Sequence, residues 1–201
     1  MNDRIISGAV KFMEENFLEH KELFENLANH QTPHTLFVVR NIANIVPPYR
    51  VSNDFVATTA AIEYALYALE IKNIIICGHS NCGGCAALYY ESEKLEKIPN
   101  VKKWLNLLDP VKKEISEIKN LEISKRDWIT ERLNIINSIK NLLTFPNLKE
   151  NFEKGEIKIY GWHYIIETGE LFDYDHASGH FKILTKEKDY EKVYNQLFSD
   201  Y

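Results

Sequence analysis

Cysteine is scarce in this chain of 201 residues: Cys77, Cys82 and Cys85 are the full set, and they fall within nine positions. So tight a cluster cannot staple distant parts of a fold. That excludes the disulfide framework of a small secreted domain and points to a reducing, cytoplasmic setting. An excess of base is also lacking. A formal net charge of −5 and a pI of about 5.8 leave no basic face for nucleic acid. No apolar run approaches the ~20 residues needed to cross a bilayer, and charges interrupt the apolar positions of residues 1–16, unlike a signal peptide. Repeats, low-complexity tracts and linkers are missing as well. What remains, at 45% hydrophobic and 26% charged, is the composition of an ordinary globular domain with its own core.

The informative stretch is Ile74-Ile-Ile-Cys-Gly-His-Ser-Asn-Cys-Gly-Gly-Cys85. A short β-branched apolar run reads as a strand buried on both faces, with Cys77 as a small buried hydrophobe at its end. The strand stops at Gly78, and a helical run follows from Ala86. Strand, glycine-rich turn and helix form the unit with which α/β proteins present chemistry at the carboxyl ends of strands. The turn presents His79 and Cys82, spaced H-x-x-C, and an imidazole with a thiolate suits tetrahedral zinc. A catalytic zinc takes three protein ligands and keeps one open position, so a third ligand is required. Two other readings compete. Cys82 and Cys85 form C-x-x-C, a spacing used by redox dithiols, and a glycine turn opening a helix binds anions without metal.

Along the chain, Ile5, Val10, Phe12, Met13 and Phe17 recur at helical spacing and residues 18–27 continue the pattern, predicting a helical arm over residues 1–30. Residues 31–201 read as a single α/β domain. Residues 36–39 are expected as a strand. Residues 58–69 read as a helix with Ala61, Ala65, Ala68 and Leu69 inward, broadened by Ile62 and Leu66. Residues 99–118 are amphipathic, with Trp104, Leu105 and Leu108 inward, and Pro110 kinks or splits the helix. Ser124 is the expected N-cap, with Asp127 at N3, of a long helix carrying Ile129, Leu133, Ile136 and Leu143 and ending at Pro146. Residues 157–166 and 171–174 read as paired strands around a turn at Thr168-Gly169, and residues 186–201 as a charged helix. The alternation predicts an α/β fold with a mostly parallel central sheet flanked by helices.

These residues resemble the β-class carbonic anhydrases. The likeness rests on Phe37-Val-Val-Arg-Asn-Ile-Ala-Asn-Ile-Val-Pro-Pro-Tyr49, Ala61-Ile-Glu-Tyr64, Cys77-Gly-His-Ser-Asn-Cys-Gly-Gly84 and Gly161-Trp-His-Tyr-Ile-Ile-Glu-Thr-Gly-Glu-Leu171, in the family's order over most of the chain. The resemblance implies reversible hydration of CO2 to bicarbonate and a proton at a zinc held by two cysteines and one histidine. It places His79 and Cys82 as ligands. It sets the Gly83 amide near substrate, Tyr64, Ile42 and Phe37 around an apolar CO2 pocket, and Gln31 as a substrate hydrogen-bonding group. It also implies a homodimer or homotetramer, in which Tyr64 and Ile42 serve the neighbouring subunit's zinc.

The departure from the family is equally specific. Members carry a strand ending in C-x-D-x-R, then a helix and a proline-glycine turn before the Phe-Val-Val-Arg-Asn strand. Here Pro33-His-Thr-Leu-Phe37 runs straight into Val38-Val-Arg40, as if two strands that both begin Leu-Phe were spliced at that pair. The first cysteine ligand and the catalytic aspartate–arginine pair are therefore absent from this chain. So is a strand expected at the centre of the sheet, whose loss leaves neighbouring N–H and C=O groups unpaired at ~1–3 kcal/mol each if buried. Cys85 is the first substitute ligand to consider, followed by Cys77 and His34. The sequence thus reads as a zinc-dependent carbonic anhydrase whose activity is compromised. The alternatives are an inactive deletion variant serving as a scaffold or bicarbonate- or anion-binding protein, and a C-x-x-C thiol protein.

Overall fold

A computed structural model of the chain describes residues 36–51 and 56–184, without the side chain of Ser124. The expected N-terminal arm, Gln31, His34 and the C-terminal helix lie outside the described residues. The chain divides into two compact units, Met1–Val38 and Val39–Tyr201, and the elements below belong to the second. A 3-10 turn, Ile42–Asn44, precedes helix α1 (Ala57–Glu63), which widens into a π-helical turn, Tyr64–Ala68. Strand β1 (Asn73–His79) leads into the short helix α2 (Gly83–Ala86) and a 3-10 turn, Ala87–Tyr89. Helices α3 (Ser92–Glu96), α4 (Pro99–Leu105), α5 (Asp109–Ser116), α6 (Ile123–Leu142) and α7 (Leu148–Glu153) follow. Strands β2 (Lys158–Tyr164), β3 (Leu171–Asp175) and β4 (His180–Ile183) close the described chain.

The sheet has the order β1-β2-β3-β4. β1 and β2 are parallel, with Gly78 opposite His163, and β2, β3 and β4 form an antiparallel meander. Strand β4 was not expected from the sequence: four residues after the Gly179 turn are too few for a clear alternation. Residues 36–39, expected as a strand, carry no regular secondary structure, and Leu36 and Val38 are exposed. A strand exists only where a ladder partner exists, and among the described residues β1 has one on a single side, at β2. The same fact corrects the reading of β1 as buried on both faces. Its burial alternates: Ile76 and Gly78 face the core, while Asn73, Ile75 and Cys77 are exposed.

Helix α6 covers the buried face of the sheet. Ile135, Ile139 and Leu142 pack with Ile76, Ile159, Phe172 and Phe181, and Phe145 and Leu148 extend this cluster. Each fully buried side chain of this size contributes about 1.5–3 kcal/mol relative to exposure. Gly161 permits the close approach, since a Cβ there would lie 2.9 Å from Ile139 and 3.0 Å from Ile135. A second cluster joins Leu88, Leu105, Leu108, Val111 and Ile115 to Ala43, Ile45, Cys82 and Cys85, with Ile129 and Leu133 packed against it. α6 therefore lies between two cores. The stripe Ile129, Leu133, Ile136 and Leu143 is only half-buried, and the deepest face is Ile135, Ile139 and Leu142. In the π turn at the end of α1 the Leu69 amide reaches back five residues to Tyr64 O. Ala65 and Leu66 are inside as expected, whereas the wider turn leaves Ala68 outside, contrary to the straight-helix expectation. Pro110 does split residues 99–118, standing in the first turn of α5. The cap of α6 is Glu122 rather than Ser124, and no side chain caps it.

Between its apolar faces α6 carries a polar stripe that holds the loop at 43–49. Asn134 Nδ2 donates to Ala43 O (2.5 Å), Ser138 Oγ donates to Asn44 O (3.2 Å) and accepts the Val46 amide (3.1 Å), and Asn141 Nδ2 donates to Val46 O (2.8 Å). The loop needs such support because Ala43 and Asn44 sit at φ 60° and 43°, a left-handed conformation that costs most non-glycine residues energy. Ser138→Ala strands the buried Val46 amide. It is expected to cost ~1–3 kcal/mol, read as a lower urea midpoint with an unchanged m-value.

Candidate metal centre

The turn after β1 is fastened to the β2–β3 hairpin. The Ser80 amide donates to Tyr164 O (2.9 Å), continuing the parallel pairing by one residue. Its hydroxyl accepts the Ile166 amide (2.9 Å) and donates to Glu167 Oε2 (2.7 Å). Asn81, at φ 54°, donates to the other oxygen of Glu167. These bonds, that from Ser80 first, hold the exposed Glu167 carboxyl below its ordinary range. The motif at 161–171 thus braces the turn that carries His79 and Cys82. His79 is half-buried with Nδ1 2.8 Å from Ser80 O, so the ring proton belongs on Nδ1 and Nε2 keeps a lone pair for a ligand.

Cys82, 6% exposed, caps α2. Its amide donates to Glu131 Oε1 (2.8 Å), while Glu131 Oε2 lies 3.1 Å from His163 Nε2. The carboxylate is 3% exposed and the imidazole fully buried. Among the described residues His163 Nδ1 has no partner, and the carboxylate accepts from Nε2. The Cys82 thiol is lowered to about 6. The hydrogen bond from the Cys85 thiol does most of this, against the opposing effect of burial, and the amides of Cys85 and Gly84 and the nearby His79 add to it. Cys85, 1% exposed, is pushed up by the same shared proton and then by burial. Asn134 Nδ2 donates to its sulfur at 3.7 Å.

The remaining candidates are scattered. A Cβ on Gly83 would meet nothing within 4 Å, so the space beside it is open. Ile42 is next to Ala43, which abuts Gly84 so tightly that a Cβ there would lie 2.7 Å from the Ala43 amide nitrogen. The Ile42 side chain is 47% exposed, as is Tyr64 at 51%. Phe37 stands in the stretch without regular structure, partly exposed, and Gln31 and His34 lie outside the described residues. Cys77, expected to be buried, is exposed because the alternation of β1 turns it to the open face of the sheet. Among the described residues no group of three or more His, Cys, Asp or Glu side chains is placed to hold a metal ion. Among the described residues His79 and Cys82 would supply two ligands, and the Cys85 sulfur accepts from Asn134. That donor set does not fit a catalytic zinc, which requires three.

A carbonic anhydrase family model matches residues 23–171. The chain belongs to the β-class carbonic anhydrase family. It is 35% identical to the carbonic anhydrase of Helicobacter pylori (strain J99), over 87% of this chain and 91% of the relative. It superposes on the β-carbonic anhydrase CcaA with a TM-score of 0.83 at 34% identity, covering 92% of each chain. Two tetrameric β-carbonic anhydrases of Sordaria macrospora match with a TM-score of 0.65 and 25% identity, over 85% of this chain and 95% of theirs. The Helicobacter alignment runs over 201 positions, whereas 87% of this 201-residue chain is about 175 residues, so about 26 positions have no residue here. A gap of that size agrees with a missing strand, helix and turn between Phe37 and Val38.

The sequence reading missed Glu131, Asn134 and His163. For the two helix residues the signal was polar residues at helical spacing, 131, 134 and 138, between the apolar positions of α6; His163, on β2, carried no such pattern. Glu131→Ala would leave the Cys82 amide and the His163 ring N–H buried without acceptors, at ~1–3 kcal/mol each. Urea unfolding should therefore show a loss of about 2 kcal/mol or more, with Glu131→Gln, which keeps an acceptor for Cys82, losing clearly less.

Proposed function

We propose that this chain is a carbonic anhydrase scaffold with an incomplete metal centre: it is built for reversible hydration of CO2 to bicarbonate and a proton, and as it stands does not complete it. The observation that carries this reading is the ligand pair. His79 and Cys82 lie on one turn braced by Ser80, Glu131 and Glu167, and among the described residues no group of three possible ligands, the number a catalytic zinc needs, comes together. In a complete centre zinc brings the pKa of bound water from 15.7 to about 7. Removing a group that merely orients a ligand costs ten- to a hundredfold in metal affinity or activity, and removing a ligand costs more. The open space at Gly83 and the neighbouring Ile42 suit a small apolar substrate, with Tyr64 as further lining.

We assign the assembly as a homodimer or homotetramer in the cytoplasm. Tetrameric relatives and the exposed Ile42 and Tyr64 support the first part. The net charge of −5 argues against a nucleic-acid partner, and no described helix is long and apolar enough to cross a membrane. The test compares the 201-residue chain with a version carrying the intervening segment of the Helicobacter relative after Phe37, measuring zinc content and stopped-flow CO2 hydration. The chain itself should carry well under one zinc and leave CO2 hydration at the uncatalysed rate. The restored version should hold one zinc and turn over. Stoichiometric zinc with rapid hydration by the unmodified chain would overturn the proposal.

A further inference from the structure

We propose that Cys82 and Cys85 form a reversible intrachain disulfide, making the turn after β1 a peroxide-responsive thiol site. The inference rests on the reading that no zinc occupies the Cys82 sulfur. The two residues are three apart in a helical turn closed by the Ala86 amide on Cys82 O at 2.9 Å, which sets both side chains on one side. Cys82 and Cys85 both belong to one buried cluster, with Ala43, Ile45 and Leu88 around them. Both ends are anchored by α6: Glu131 holds the Cys82 amide and Asn134 the Cys85 sulfur. The third cysteine, Cys77, is exposed on the open face of β1 and takes no part.

The order of events follows from depth. Cys82, at 6% exposure against 1% for Cys85, meets the oxidant first. Its sulfur attacks one oxygen of hydrogen peroxide. An S–O bond forms, the O–O bond breaks, and the departing oxygen leaves as water with the Cys82 proton. The Cys85 sulfur then attacks the Cys82 sulfur. The S–S bond forms, the S–O bond breaks, and the second oxygen leaves as water with the Cys85 proton. Two thiols lose two electrons and two protons, and the peroxide is reduced to two waters. A dithiol reverses the step by exchange through a mixed disulfide.

The experiment treats the reduced 201-residue chain with hydrogen peroxide, counts thiols, maps peptides by mass and measures zinc in the same sample. Two of three thiols should disappear, with a mass loss of two hydrogens in the peptide holding Cys82 and Cys85, and dithiothreitol should restore both. Cys77→Ser should leave this behaviour unchanged, while Cys85→Ser should stop at a sulfenic acid on Cys82 that dimedone traps. Persistence of the Cys82 and Cys85 thiols in zinc-free protein, under peroxide that oxidises Cys77, would overturn the disulfide and leave the incomplete centre standing. Stoichiometric zinc, with the disulfide forming only after chelation, would refute the incomplete centre and with it the claim that the unmodified chain responds to peroxide.

Discussion

The buried carboxylate of Glu131 and the polar stripe below it on α6 hold the parts of the site together. One helix face grips the Cys82 amide, the Cys85 sulfur and the strained loop at 43–46, and the next face packs on the sheet through Ile135 and Ile139. Sheet, turn and loop are therefore positioned by a single rigid element. A buried polar network of this kind fixes one arrangement when its members are satisfied. Among the described residues Asn134 Oδ1 and His163 Nδ1 of this network have no hydrogen-bond partner, nor do Nε and Nη1 of Arg132 beside it. The Arg132 guanidinium lies over the Trp128 ring, and burial lowers it to about 9.

Against this well-held turn stands the open side of β1. Relatives possess about 26 positions that this chain lacks, and β1 has a ladder on one side among the described residues. Unpaired strand edges are templates for association. What is retained braces the turn: Ser80 and Glu167 beside His79, and Glu131 under Cys82. On the proposed reading this is the support of a metal centre whose ligand set is incomplete, which leaves the Cys82 sulfur without a metal.

Much of the architecture was legible because its signals are local. The apolar run at 74–76, the glycine turn, the split at Pro110 and the turn at Thr168-Gly169 each fix their own neighbourhood, and spacing alone proposes His79 and Cys82 as a ligand pair. The misreadings share a different cause. The strand at 36–39, the double burial of β1 and the inward Cys77 all depended on a partner strand, which no local pattern reveals. Glu131 was missed because it meets Cys82 across 49 positions and His163 across 32. The deepest face of α6 was misjudged because the helix serves two cores, and a single apolar stripe describes a helix with one.

The most direct measurement of the central claim is zinc X-ray absorption on the purified 201-residue chain equilibrated with excess zinc and then desalted. The account predicts either no retained zinc or a shell with a single sulfur, from Cys82, beside the nitrogen of His79. A tetrahedral shell with two sulfurs and one nitrogen would contradict it, because it would mean that the chain supplies the ligand its sequence lacks.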